Sequence, residues 1–206
     1  IYNEYLTFTA LENTTFKFSG STTANTLSYS LDDGRTWTVL ANNTETPTIP
    51  IGSSIMFKGT CVSQNNSGIG TFISTGNFEV EGNTMSLLYG DNFSGQTSLE
   101  GKNYALYGLF SGNTNLINAD DLLLPATTLS QACYSYMFNS CSSLISVPTL
   151  PATTLADNCY TRMFASCTSL ISAPALPATN LAQYCYYYMF YNCTGITSAP
   201  TLPATT

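Results

Sequence analysis

LPATTLADNCYTRMFASCTSLISAPA, residues 150–175, is preceded by LPATTLSQACYSYMFNSCSSLISVPT at 124–149 and followed by LPATNLAQYCYYYMFYNCTGITSAPT at 176–201. Leu124, Leu150, Leu176 and Leu202 set the period at 26 residues. Self-similarity at such a period marks a stacked repeat, because a unit this small cannot bury its apolar face except against a neighbouring copy. The first and second copies agree at 17 of 26 positions and the second and third at 15 of 26.

The positions that agree carry the fold. Cys133, Tyr134, Met137, Phe138 and Cys141 recur as Cys159, Tyr160, Met163, Phe164, Cys167 and as Cys185, Tyr186, Met189, Phe190, Cys193. Their offsets of 1, 4, 5 and 8 from the first Cys are those of one helix face, so the spacing predicts a short helix over about 130–139 with this constant face inward. The intervening sets, Gln131/Asp157/Gln183, Ala132/Asn158/Tyr184, Ser135/Thr161/Tyr187, Tyr136/Arg162/Tyr188 and Asn139/Ala165/Tyr191, vary and are expected to face solvent. The following CSSLISVP, CTSLISAP and CTGITSAP are short and end in Pro, which suits a brief strand, and LPAT then turns the chain. Stacked copies would set the Cys, Met and Phe residues in ladders, with the cysteines as buried thiols donating weakly to carbonyls.

Upstream, YALYGLFSGNTNLINADDLLLPATT is a worn copy: Leu109 and Phe110 stand for Met137 and Phe138, Leu116 for Leu144, and Ala105 and Asn113 replace Cys. A degenerate first unit reads as a terminal cap. The chain begins in mid-pattern at Ile1 and stops after a fourth LPATT has started, so it reads as a piece of a longer product.

The order aromatic, two residues, Cys, two residues, Leu (Phe164, Cys167, Leu170), followed by a Pro-bearing turn, resembles the BspA-like class of leucine-rich repeat proteins over about residues 99–206. The resemblance implies a curved solenoid on a secreted or surface-anchored bacterial protein, many of them from Bacteroides-type organisms, acting in adhesion.

Residues 1 to about 85 read differently, with apolar residues on alternate positions at Leu6/Phe8, Phe16/Phe18, Leu27/Tyr29/Leu31, Trp37/Val39, Ile55/Phe57 and Phe78/Val80, separated by Gly, Asn and Ser turns. That patterning is expected of a small antiparallel, Ig-like β-sandwich. Within it SLDDGRTW matches the Asp-box pattern through Ser30, Asp32, Gly34, Thr36 and Trp37, read here as a hairpin in which Asp32 accepts backbone N–H groups. The expected class is therefore mainly β with short helices: a β-sandwich over 1–86, a junction and degenerate capping repeat over 87–123, and a right-handed α/β leucine-rich repeat solenoid over 124–206.

Composition narrows the function. Charged residues are 8% of the chain, the net charge is −7, and the five basic residues stand singly, so there is no positive stripe for nucleic acid. There is no apolar run long enough for a membrane helix. His is absent, no C-x2-C pair occurs, and no Ser/His/Asp set or phosphate loop is present, which points away from a metal, a cofactor and catalysis. The Asp-box alone does not make a glycosidase, and LPAT followed by Thr or Asn is not a sortase signal. Exposed Tyr is a favoured contact residue. Tyr136, Tyr184, Tyr187, Tyr188 and Tyr191, with Arg162, are thus the candidate binding residues. The expected function is a non-catalytic extracellular or cell-surface binding and adhesion module with a protein or glycan partner. The alternatives are a structural part of a surface layer or of a phage tail or fibre and, third, a carbohydrate-active enzyme.

Overall fold

The computed structural model describes residues 4–20, 27–64 and 66–204; Thr205 and Thr206, the end of the fourth LPATT, lie outside them. The protein is mainly β. Strands β1 (Leu6–Ala10), β2 (Phe16–Ser19), β3 (Leu27–Ser30), β4 (Thr38–Leu40), β5 (Ser54–Gly59), β6 (Thr71–Ser74) and β7 (Phe78–Asn83) precede one four-residue helix, α1 (Ser86–Tyr89), and a 3-10 turn at Gly90–Asn92. Two short strands follow, β8 (Leu116–Asn118) and β9 (Leu122–Leu123).

Both sheets are open. The larger runs β4-β3-β5-β1-β7-β8, with β9 also on β7, and the smaller is β2-β6. Pairing is antiparallel except that β8 and β9 lie parallel to β7. The worn copy thereby enters the same sheet as the N-terminal strands. Phe8 on β1 is the hub between the sheets, its ring 4.8 to 5.8 Å from those of Phe16, Phe57, Phe72, Phe78 and Phe110. Strand β6 carries Phe72 into this cluster although the alternation reading passes over it. Val39 is 68% exposed and Leu40 is buried in its place, because β4 is an edge strand with one covered face; Leu31, 52% exposed, lies past the end of β3 in the turn.

Among the described residues the repeats hold no helix. Over 131–140, and at the equivalent residues of the other copies, the chain is a run of overlapping turns. Every fourth residue has a left-handed backbone: Ala132, Tyr136, Ser140; Asn158, Arg162, Ser166; Tyr184, Tyr188, Asn192, with φ between 51° and 62°. Odd-numbered residues of the first copy close turns on themselves, from Cys133 N–H to Ser130 C=O through Cys141 to Phe138, at 3.0 to 3.3 Å. Even-numbered residues donate instead to the next copy. Ala132, Tyr134, Tyr136, Phe138 and Ser140 bond the carbonyls of Asp157, Cys159, Thr161, Met163 and Ala165 at 2.8 to 3.0 Å. The same five bonds join the worn copy to the first and the second to the third.

The physical reason for the difference lies in the period. Offsets 0, 1, 4, 5 and 8 fit within about 140° of a helix turning 100° per residue, and they fit equally the two columns of a ribbon that repeats every four. Local propensity then decides. These segments are rich in Tyr, Cys, Ser, Thr and Asn, mediocre helix formers, with only a few Ala, Gln, Met or Arg among them, and a ten-residue helix is marginal even with good formers throughout. The brief strand expected after each helix forms only in the worn copy, as β8, where β7 offers an edge; in the first copy Ser146 makes a single parallel bridge to Asn118. The LPATT phrases likewise pair sparingly, through parallel bridges of Ser98 with Thr128 and Thr154 with Asn180.

Stacking is direct. Phe72, Phe110, Phe138, Phe164 and Phe190 form one column with centroids 5.5 to 6.0 Å apart and interplanar angles falling from 23° to 9°. Tyr134, Tyr160 and Tyr186 form a second at 5.8 and 6.0 Å. Tyr134 N–H bonds Cys159 C=O and Tyr160 N–H bonds Cys185 C=O, so Cys133, Cys159 and Cys185 hold equivalent steps of successive copies. Cys141, Cys167 and Cys193 donate S–H to the carbonyls of Phe110, Phe138 and Phe164 in the preceding copy at 2.9 to 3.1 Å, and all seven cysteines are free thiols. Met137, Met163 and Met189 are buried.

The worn copy departs from the pattern where it meets β6. Asn113, in the place of Cys141, donates to Phe72 C=O at 3.2 Å and accepts from Ser74 Oγ at 3.1 Å, while Phe72 N–H bonds Leu109 C=O. An amide there serves a strand where a thiol serves another repeat. Gly108 and Gly112 take the left-handed steps filled by Tyr136 and Ser140 one copy later.

Variable does not mean exposed. Ala132, Ser135, Thr161 and Ala165 are buried, because Ser135 and Thr161 donate their hydroxyls to the carbonyls of Asn158 and Tyr184 in the next copy. A small polar side chain fills the joint between copies.

Two substitutions test this geometry. A left-handed non-glycine residue costs roughly 1 kcal/mol or more, so Ser166→Gly raises stability by about 1 kcal/mol in denaturant unfolding, whereas a helix at this position would lose about 0.5 kcal/mol. The Tyr160 hydroxyl is buried without a hydrogen-bond partner. Removing such a group relieves its desolvation cost; Tyr160→Phe therefore leaves the melting temperature unchanged or raised, and a fall of several degrees contradicts the packing described.

Candidate functional site

The middle left-handed step of each copy points outward, and three copies place Tyr136, Arg162 and Tyr188 on it. Backbone bonds from Tyr136 N–H to Thr161 C=O and from Arg162 N–H to Tyr187 C=O hold the three in one column. The Arg162 guanidinium lies 5.8 Å from the Tyr136 ring centroid and 5.1 Å from that of Tyr188, a cation between two π faces. From Tyr188 the aromatic surface widens. Tyr188 meets Tyr187 at 4.3 Å and Tyr191 at 5.3 Å, and Tyr187 meets Tyr184 at 5.5 Å, all edge to face.

The candidate binding residues are thus brought together as a single stripe. Tyr184, Tyr187, Tyr188 and Tyr191 are 45 to 58% exposed, and Tyr136 and Arg162 are half-buried. The Tyr187 hydroxyl is pushed above its ordinary range, first by a hydrogen bond with Tyr188, while the charge of Arg162 pulls it the other way. The guanidinium therefore acts on the tyrosine cluster of the neighbouring copy. Among the described residues Arg162 enters no ion pair.

Tyr104 and Tyr107 extend the stripe into the worn copy, at 5.9 Å from each other and 5.2 Å from Tyr107 to Tyr136. Neither is legible as a site from the 26-residue phrase alone. At the offset of 28 that matches Leu109 and Phe110 to Met137 and Phe138, they answer Ala132 and Ser135, small buried residues, so the alignment gives no sign that two rings stand there on the surface.

The Asp-box residues lie apart from this stripe and are internally saturated. Asp32 Oδ1 accepts from Thr36 N–H and from Ser30 Oγ, both at 2.8 Å, and Oδ2 accepts from Thr36 Oγ1 at 2.7 Å. Gly34, with φ of 80°, lets Trp37 Nε1 reach its carbonyl at 3.0 Å. Trp37 packs on Tyr5, and Lys58 sits 4.3 Å over the Trp37 ring while pairing with Asp91 at 2.7 Å, the carboxylate that also accepts from Tyr5. These groups spend their hydrogen bonds on fastening the hairpin to the 3-10 turn.

A cavity of about 310 Å³ lies at the junction, lined by Cys61, Ser63, Gln64, Lys102 and Asn103 among others. Burial pushes the Cys61 thiol up to about 12, so it is not a nucleophile at neutral pH. Burial has the same effect on Cys133 and Cys167. Among the described residues no group of three His, Cys, Asp or Glu is placed to hold a metal, and no helix is long and apolar enough to cross a membrane.

No protein-family model, curated protein or solved structure matches the chain.

The Asp32 carboxyl gives a pH signature. Its bonds to Thr36, then to Ser30, lower it from 3.8 to about 2. A depressed acid stabilises the fold above its unfolded value and ceases to do so as pH falls through its folded one. The hairpin's contribution is therefore complete above about pH 4 and disappears towards pH 2, and Asp32→Asn flattens that part of the stability profile measured by Trp37 fluorescence.

Proposed function

We propose that the chain is a non-catalytic binding module of a secreted or cell-surface protein, in which a β-sandwich carries a leucine-rich repeat solenoid and the solenoid's outer face engages a protein or glycan partner. The observation that carries this reading is the continuous Tyr and Arg stripe. Constant residues are consumed by the ladders, and the variable outward steps gather aromatics into one surface. Tyrosine offers contact area and a hydroxyl at small entropy cost, which is what a recognition surface needs. The raised thiols, the absence of His from the chain and the saturated Asp-box support a binding role over a catalytic one.

The second reading is a structural part of a larger assembly, built on the same stacking of copies. In the third copy the N–H groups of Tyr184, Tyr186, Tyr188, Phe190 and Asn192, which match the donors of the earlier junctions, find no backbone acceptor among the described residues. The apolar surface beside them, lined by Leu176, Tyr186, Met189 and Phe190, is open. Such an edge suits stacking on a further unit of the same kind.

Arrays of host matrix proteins and glycans, probed with the parent chain and with a Tyr184/Tyr187/Tyr188/Tyr191→Ser variant of equal melting temperature, decide between them. The binding reading expects a specific ligand whose signal falls at least tenfold in the variant. Undiminished binding by the variant removes the stripe as the site, and a defined oligomer in sedimentation with no ligand favours the assembly.

A further inference from the structure

Resting on the reading of the stripe as a binding surface, we propose that Arg162, clamped between Tyr136 and Tyr188, is a carboxylate-recognition site for an acidic sugar, a hexuronate or sialate residue of a surface glycan. The column is occupied by bulky side chains where the backbone disfavours them. Tyr136, Arg162 and Tyr188 hold φ of 59°, 51° and 53°, and the worn copy has Gly108 at the same step. The left-handed conformation recurs at every fourth residue and belongs to the ribbon; what sets this step apart is that all three copies place a large side chain on it.

The clamp fixes the guanidinium without consuming its donors. Ring faces attract the cation without pairing with its N–H groups as a carboxylate would. A planar fork of N–H groups with no ion-pair partner among the described residues matches a carboxylate bidentately.

Charge selects the kind of carboxylate. Arg162 is the one cation of the stripe, and the chain carries −7 overall, so a densely anionic polymer is repelled. A ligand with a single carboxylate among hydroxyls and C–H faces matches one guanidinium among tyrosine rings and phenol groups. An acidic peptide fits less well. Peptides gain much of their affinity by pairing with a free backbone edge; beside the guanidinium the N–H groups of Tyr136 and Arg162 are already spent on Thr161 and Tyr187, and the open N–H groups lie one copy further on, from Tyr184 to Asn192.

Calorimetric titration of the intact chain with methyl galacturonoside and with sialyllactose, which carry one carboxylate each, beside their neutral counterparts methyl galactoside and lactose, and with hexaglutamate, tests the assignment. The parent should bind at least one acidic sugar roughly tenfold or more tightly than its neutral partner, and the two acidic arms distinguish uronate from sialate. Arg162→Gln, with an unchanged melting temperature, should abolish the preference, and Arg162→Lys should restore part of it. The proposal is overturned if acid and neutral sugars bind alike, if no acidic sugar binds, if Arg162→Gln keeps the preference, or if hexaglutamate binds more tightly than either sugar. Neutral-sugar or protein binding that the four-tyrosine variant loses, without any acid preference, would sink this assignment and leave the binding surface standing.

Discussion

Half of the backbone donors in each turn ribbon can be satisfied only by another copy. Odd-numbered N–H groups close their own turns, while even-numbered ones point along the stack and reach the carbonyls of the next unit at 2.7 to 3.0 Å. A single unit would leave these five donors and its apolar face to water and gain nothing to offset the entropy of ordering the ribbon, so no unit stands alone. A helical repeat differs in that its backbone is complete before it packs. Here stacking finishes both the hydrogen bonding and the apolar burial, and this is why the columns of Phe, Tyr and Cys keep such regular spacing.

The sheet region solves the matching problem at the other end of the stack. Strand β6 presents Phe72 as the first ring of the Phe column, its N–H serves Leu109, and β7 accepts β8 and β9 as parallel neighbours. The worn copy is worn where it faces those strands, with Asn113 in place of a Cys and glycines on two left-handed steps. Its departures from the phrase are adaptations to a different neighbour.

Recognition is left to what the ladder does not use. The same left-handed step that lets the ribbon turn also throws a side chain outward, so one substitution per copy changes the surface without touching the core. Tyr136, Arg162 and Tyr188 show how a repeat can hold its architecture constant while its face is rewritten.

Much of this was legible in the residues alone. The 26-residue period, the inward set from Cys133 to Cys141, the free thiols bonding to carbonyls, the placing of Tyr136 and Arg162 among the outward residues, and most N-terminal strands follow from which positions repeat and which alternate. The ribbon itself was not legible, because nine residues do not separate a period of 3.6 from one of four; the pair Gly108 and Gly112 held that information in the copy least like the others. Nor could the sequence say that Ser135 and Thr161 are buried in the joints, or that Tyr104 and Tyr107 join the stripe. Side-chain periodicity reports which residues share a face, but where a backbone N–H finds its acceptor depends on a chain segment some 26 residues away. That choice belongs to the tertiary structure alone.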